Sequence, residues 1–420
     1  MAVSHSSGPI SFEEARRVVE DYAAGLRASG TEEVDLLNSP GRVLAEPVVA
    51  DRPFPPFSRA ARDGYAIRAS DLNQLPTRLR VIGEIKAGAD SSLQVGPAQA
   101  AAIMTGAPVP PGADAVVMVE YTSLHGDEVE VRQRIEAGAN IVPTGSEARR
   151  GEQILAPGTR IDHAGVAVAA SVGKSRLSVF KRPRIAILAT GDEVVPITAQ
   201  PGRNQIRNSN SYSLAAQISR AGGNPVLLSV APDEPVRLRE LILEGLQSDL
   251  LLLSGGVSMG KYDLVEQVLN DLDAQFLFTS VAIQPGKPAV FGRIERGSTE
   301  TPVRDCCENK YFFGLPGNPV STMVTFELFA KPLIAALAGM EPRKLIFLRA
   351  QLKSEIKIKI GLRRFLPAVF SGEFDLPQVE LARWQGSGDI AATARADCYL
   401  VIPPDRDHIP QGEWVSILMP

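Results

Sequence analysis

The stretch "DLLLLSGGVSMGKYD", Asp249 to Asp263, carries four leucines into Ser254, Gly255 and Gly256 and reaches the carboxylate of Asp263 a few residues later. Glycines at such a point let the backbone turn sharply and come close to a bulky ligand. The N–H groups that open a following helix can hold an anion. Alone, the stretch fits two readings: a ligand loop, or a strand that ends on glycines before a helix capped by Asp263. Other segments repeat the pattern. "AILATGDEVV" leaves an apolar run with Thr190, Gly191, Asp192 and Glu193, and "VLLSVAPDE" leaves with Asp233 and Glu234. "FFGLPGNPVST" delivers Gly314, Gly317 and Asn318 ahead of a helical stretch. Carboxylates that share an edge repel one another unless a cation lies among them. Magnesium takes oxygen ligands and bridges to phosphates. The pattern therefore predicts a magnesium-assisted phosphate site. "GLPGNP" lacks the lysine and Ser/Thr of a P-loop and is a phosphate-cradling loop of another kind. Lys287 in "QPGKPAVFG" is a candidate cation for an oxyanion, with an ordinary surface lysine as the alternative. "GSG" at Gly386 to Gly388 reads as a turn.

These residues need a scaffold, and the chain supplies one. From Arg184, continuous apolar strands ("RIAILAT", "NPVLLSV", "DLLLLSGG") alternate with amphipathic helices ("SYSLAAQISRAG", "VRLRELILEGL", "LVEQVLNDL"), ending in the long helix "VSTMVTFELFAKPLIAAL". That alternation implies a mainly parallel sheet covered on both faces, with ligands at the carboxyl ends of its strands. "ERGSTETPVRDCCENK" interrupts it as an exposed hairpin or loop. Upstream, "SFEEARRVVEDYAAGLRASG" is a helix with capping-box spacing at Ser11 and Glu14, an apolar face of Phe12, Ala15, Val19, Tyr22 and Leu26, and Gly30 as its stop. The prolines of "DRPFPPFSRAARDGYAI" exclude helix and central strand, predicting an ordered crossing segment. From Thr77 to Ile154 short alternating strands predict a β-rich unit. "IDHAGVAVAASVG" is a short helix expected to rejoin the first one, and the last ~80 residues are strand-like. The expected fold is multidomain α/β plus β. Residues 1–55 and 155–182 form a helical and extended N-terminal domain, and 56–154 a small β-rich insertion. Residues 183–340 form the central doubly wound, mainly parallel α/β domain, and 341–420 a C-terminal β-barrel-like domain.

The totals agree. A chain of 420 residues suggests about three domains at ~150 residues each. It is 44% apolar and 22% charged, ordinary for a soluble protein. A net charge of −4 leaves no cationic surplus for a nucleic-acid backbone. Three cysteines, two of them adjacent at Cys306 and Cys307 and one at Cys398, offer neither a good disulfide nor zinc spacing. Free thiols fit a reducing cytoplasm. "MAVSHSSGPI" shows no signal-peptide pattern, and no run approaches the ~18 apolar residues of a membrane span.

Jointly, "SRAARDGYAI", "IMTGAPVPPGADAVV", "ILATGDEVV", "LLSGGVSMGKYD", "QPGKP" and "GLPGNPVST" resemble the molybdopterin molybdenumtransferase family (MoeA-type), whose relatives include the E domains of gephyrin and of the plant enzyme. The resemblance runs over essentially the whole chain in order. It implies an elongated homodimer of four-domain subunits, with the cleft between the α/β domain of one subunit and the small domains of the other. The reaction implied is magnesium-dependent insertion of molybdenum from molybdate into adenylylated molybdopterin, with release of AMP. By motif it assigns Asp63 and Thr105, then Asp192 and Glu193, Asp233, and Ser254, Gly255, Gly256 and Asp263. It further assigns Gly317 and Asn318, Asn208 and Asn210, Arg363 or Arg364, and Ser387. Glu193, Asp233 and Asp263, with Asp63, are the expected magnesium carboxylates, and Thr190 and Gly191 join the nucleotide loops. Departures occur where relatives carry an arginine run: Val142, Pro143 and Thr144 stand there, with Glu147 for an aspartate. Gln284 and Ser280 stand where or near where some relatives have lysine. Lys287, Arg363 and Arg364 are then expected to carry more of the oxyanion's charge. The alternatives are a molybdopterin adenylyltransferase, which the α/β domain alone resembles, and a non-catalytic scaffold like gephyrin's. The upstream adenylyltransferase is a possible partner; no nucleic-acid or membrane partner is expected.

Overall fold

The computed structural model describes residues 8–88, 92–256, 264–295, 309–341 and 344–420. Helix α1 (Phe12–Gly25) starts as its sequence dictates, with the Ser11 hydroxyl accepting from Glu14 N at 3.1 Å. It ends at Gly25, five residues before Gly30, with Leu26 already extended. The segment Thr31–Asp35 pairs antiparallel with Arg176–Phe180, and helix α2 (His163–Ser171) packs over Leu44, Val48, Leu177 and Val179.

The proline-rich segment leads into Gly64–Ile67, which is a central strand, contrary to expectation. The prolines stop at Pro56, so every residue of "GYAI" has an N–H to donate to its neighbours Gln99–Ile103 and Ala115–Met118. This six-stranded sheet has an apolar cluster on each face.

The layer that carries the loops of interest is a six-stranded sheet. Its strands are β1 (Arg184–Ala189), β2 (Asn224–Leu227), β3 (Leu250–Ser254), β4 (Ala274–Phe278), β5 (Val290–Ile294) and β6 (Lys310–Leu315), in the order β2-β1-β3-β6-β5-β4. The first four are mutually parallel, while β5 and β4 are antiparallel additions that the sequence reading missed. They were missed because "AQFLF" and "VFGRI" lack the helix that separates parallel strands. The segment read as a hairpin joins antiparallel β5 and β6, but residues 296–308, with Cys306 and Cys307, lie outside the described residues. Cys398 is free and buried, and burial pushes its thiol up to about 12, which makes it unreactive.

Helices α3 (Ser209–Arg220), α4 (Pro235–Gly245), α5 (Leu264–Asn270) and α6 (Pro319–Leu337) cover the two faces. Among the described residues α6 alone is long and apolar enough to cross a membrane. The sequence reading did not flag it because Glu327 and Lys331 interrupt the apolar run. Most of α6 is buried inside the molecule, with Phe326, Leu328 and Phe329 in the core. A π turn over Phe326–Ala330 precedes Pro332, whose missing N–H breaks the regular ladder. Within that turn the buried carboxylate of Glu327 accepts from Gln217 at 2.9 Å, from Lys331 at 2.7 Å and from Arg220, which braces α3 against α6.

Helix α1 packs on this layer rather than on α2. Phe12, Ala15, Val19 and Ala23 join the cluster of Phe329 and Leu333, and the Phe12 ring lies 5.1 Å from that of Phe365 in the C-terminal unit. There, strands Phe347–Leu352, Arg363–Ser371, Gln378–Leu381, Cys398–Ile402 and Trp414–Leu418 close into a barrel. The short strand Ile283–Gln284 adds parallel to Arg363–Arg364 and joins the barrel to the α/β layer.

Candidate functional site

In the sheet order β2-β1-β3, the chain leaves β1 to one side and returns to the other. This is a topological switch point, where open α/β sheets hold ligands. Ala189, Ser254 and Leu315, the last residues of β1, β3 and β6, stand side by side in register, so the three loops after them depart at one level. Thr190 N donates to Ser254 O at 3.1 Å, Gly255 N to Leu315 O at 3.2 Å, and Gly191 N to Ala231 O at 3.2 Å. These bonds stitch the rim.

A cleft of about 540 Å³ opens there. Of the residues expected from sequence it brings together Thr190, Gly191, Glu193, Asn208, Asn210, Asp233, Ser254, Gly255, Gly256, Gly317 and Asn318. Asn208 caps α3 by accepting from Ser211 N at 3.1 Å. Asn210 Nδ2 donates to Ser254 Oγ at 3.0 Å and to the Gly317 carbonyl at 2.7 Å, tying α3 to two of the loops. The Asn318 amide donates to Ser387 Oγ at 2.8 Å, and Val320 N to Ser387 O at 3.0 Å, which anchors the start of α6 to the barrel. The "GSG" read as a turn therefore has a second role. Among the described residues Thr190 Oγ1 and Asn210 Oδ1 are buried without a hydrogen-bond partner, a debt that a bound polar group can settle.

Two acidic loops meet at this rim. Asp233 N donates to Asp192 Oδ1 at 3.1 Å. The Asp233 carboxyl is pushed above its ordinary value by partial burial first, then by the negative charges of Asp192 and Glu193. Such a pair favours a cation between its members. Among the described residues no three His, Cys, Asp or Glu side chains are arranged around one metal position. Asp263, the third carboxylate expected, lies outside the described residues.

Other expected residues stand apart from the cleft. Asp63 accepts from Thr105 N at 2.6 Å and from Thr105 Oγ1 at 2.8 Å, within the β-rich unit. Those two bonds, the backbone one first, hold its carboxyl below the ordinary value. Replacing Thr105 by Val should move the Asp63 pKa up toward 3.8 but not to it, since the larger backbone contribution stays. Carboxyl NMR titration measures this, and an unmoved pKa would contradict it. Lys287 is exposed beside the cleft-lining Pro288. Arg363 turns toward α1, paired with Glu13 at 2.5 Å and lying over the Phe12 ring at 5.5 Å. Strand alternation sends Arg364 to the other side, where its Nε donates to Gln284 at 2.9 Å. Glu147 pairs with Arg59 at 3.1 Å, and Thr144 bonds Ser58. Sequence reasoning missed Ile206, Arg207, Ser209 and Pro316, which also line the cleft. Their proximity to the already identified Asn208 and Gly317 was the available signal.

Three family models match the chain in order: the MoeA N-terminal region (domain I and II) over residues 10–173, a probable molybdopterin binding domain over 186–336, and the MoeA C-terminal region (domain IV) over 349–419. The chain is 37% identical to a molybdopterin molybdenumtransferase of Nostoc over 92% of its length and 88% of that protein's. It is 32% identical to the Bacillus subtilis protein of the same name over 98% and 94%. A crystal structure of the molybdopterin biosynthesis moeA protein from Pyrococcus horikoshii superposes with a TM-score of 0.77 at 28% identity, covering 98% of this chain and all of that one.

Proposed function

Because this chain belongs to the MoeA family of molybdopterin molybdenumtransferases, transferases of molybdenum cofactor biosynthesis, we propose that its cleft binds adenylylated molybdopterin and that molybdate is the metal-bearing substrate. AMP is then the released product. The observation that carries this reading is the meeting of two acidic loops and two glycine turns at one switch point.

The all-oxygen donor set and the raised carboxyl of Asp233 fit a magnesium ion. Glu193 and Asp233 would hold it, with Asp263 as the third expected ligand. Bound there, magnesium supplies positive charge to the phosphoanhydride. The chain's own groups do the rest. The openings of α3 and α6, whose first residues line the cleft, offer their N–H groups to the phosphates, and the glycine turns bring the backbone close to them. Asn210 fixes the spacing between α3 and the Gly317 turn. Lys287, on the cleft's rim, attracts the oxyanion. The dithiolene sulfurs belong to the pterin, so the chain needs no thiol. The reading includes the four-domain division at residues 55, 154, 182 and 340 and a cytoplasmic homodimer. In that dimer the partner's β-rich unit closes the cleft with its Asp63–Thr105 pair. The upstream adenylyltransferase is the proposed source of substrate.

The test is AMP release from adenylylated molybdopterin with magnesium, in the presence and absence of molybdate. Release that depends on molybdate is expected. Release indifferent to molybdate points to an adenylyltransferase, and no release points to a scaffold; each sinks the proposal.

A further inference from the structure

We infer that the seam between the N-terminal unit and the α/β layer binds a compact tetrahedral dianion, of the phosphate or molybdate type, at a cluster formed by Arg42, Arg160 and Arg182. The three are far apart in the chain but meet at one notch. Arg42, Lys181 and Arg182 line it from the N-terminal unit, and Gly222 and Ala338, just past the ends of α3 and α6, line it from the layer. A Cβ placed on Gly41, also in the lining, would lie 3.9 Å from Arg160 Nη2, which brings the third guanidinium to the same corner. The seam is tight, since a Cβ on Gly339 would lie 2.2 Å from the Phe180 ring. A ligand therefore lies across the mouth of the notch.

Two of the arginines have duties that fix them. The Arg42 side chain, only 10% exposed, pairs with Glu32 at 2.5 Å and donates to Phe180 O at 2.9 Å. Arg160 donates to Arg220 O at 3.0 Å, at the C-terminal end of α3, where a cation suits the helix dipole. Arg182 has no such duty: among the described residues its side chain makes no hydrogen bond and no ion pair. Burial first, then the charges of Arg42 and Arg160, pull its pKa below the ordinary value, and Glu32 is the one carboxylate that opposes them. Glu32 answers one of the three guanidinium charges and leaves two, in a chain whose net charge is −4. Guanidinium forks match the oxygens of a phosphate-like ion. The shallow notch and the shortfall of two charges suit a small dianion better than an extended molecule. The seam is not the switch-point cleft. Helix α3 starts at the cleft with Ser209 and ends at the seam with Arg220, so its 12 residues, about 18 Å of helix, separate the two. An ion that neutralises the cluster holds the N-terminal unit to the layer, so occupancy stabilises the fold.

The probes are inorganic phosphate and molybdate, titrated in separate calorimetric arms into the full-length Lys287→Gln protein, which lacks the candidate oxyanion lysine of the cleft. Sodium chloride holds the ionic strength constant, and the pH is mildly alkaline so that phosphate is a dianion. Saturable binding is expected in at least one arm, with a rise in melting temperature, and the tighter arm names the ion. Adding Arg182→Gln should weaken that binding roughly tenfold, the loss of one charge-assisted contact, and Arg182→Lys should recover part of it. Arg182 is exposed and bonded to nothing among the described residues, so both variants should fold, which circular dichroism checks. Affinity unchanged by Arg182→Gln overturns the inference, as does the absence of binding in both arms. So does binding seen in the wild type and lost with Lys287→Gln alone, which would place the ion in the cleft.

Discussion

Asp233→Asn should lower molybdate-dependent AMP release by roughly 10²–10³-fold, the scale of losing one group that stabilises transition-state charge, while slightly raising the thermal stability of the magnesium-free protein. Both effects have one origin. The carboxyl is pushed above its ordinary value of 3.8, first by partial burial and then by Asp192 and Glu193. A folded-state pKa above the unfolded one means that the native state prefers the proton. The group therefore favours folding below pH 3.8, and this contribution is lost as pH rises through the raised value. At neutral pH the ionised Asp233 is a liability, which Asn removes. The gain is small because the carboxyl is only slightly buried and stays largely in contact with water, which screens its repulsions. Magnesium reverses the balance. It should raise the melting temperature of the wild type by preferential binding to the native state, and raise that of the variant much less. A variant with wild-type turnover, or with an undiminished magnesium-induced stabilisation, would remove Asp233 from the site.

How far the sequence carried the site can be judged at particular residues. Strand ends in "ILATGDE", "LLSGG" and "GLPGNP" were readable because a parallel sheet is buried on both faces, so its strands are unbroken apolar runs and their ends are abrupt. The residues just past the carboxyl end of such a run belong to the ligand edge by topology alone. Hence Glu193, Asp233, Gly255 and Asn318 were placed without knowledge of strand order. The antiparallel strands β4 and β5 were not readable, since they lack the helical spacer that marks the others. The packing of α1 was hidden too. Its apolar stripe shows that it buries a face, but not that Phe12 meets Phe329 and Phe365 rather than α2. Arg364 illustrates a different limit. The resemblance assigned Arg363 or Arg364 without choosing between them, and only closure of the barrel shows that Arg364 is the buried one, with no carboxylate paired to it among the described residues.

Gly255→Ala should cost more than tenfold in AMP affinity, whereas Gly361→Ala should leave that affinity within twofold of wild type. Gly255 has φ +95° and Gly361 φ +114°, so either substitution forces a side chain into a backbone region that disfavours it, at roughly 1–3 kcal/mol. The two differ in their surroundings. A Cβ at Gly361 meets nothing within 4 Å, so its cost is conformational only. A Cβ at Gly255 lies 2.9 Å from the Thr190 carbonyl oxygen and 3.2 Å from Thr190 Oγ1. The carbonyl is backbone and cannot swing aside, and Gly255 N is itself bonded to Leu315 O. Relief then requires the β3 loop to part from the β1 loop, at the seam between the two turns that line the cleft. Gly256→Ala should fall between the two, because its close neighbours, Thr190 Oγ1 at 2.7 Å and Val265 Cγ2 at 2.8 Å, are side-chain atoms with some freedom to shift. Isothermal titration with AMP ranks the three. An order other than Gly255, Gly256, Gly361 would mean that the glycine turns serve the strand end and not the ligand, and the switch-point site would lose its main support.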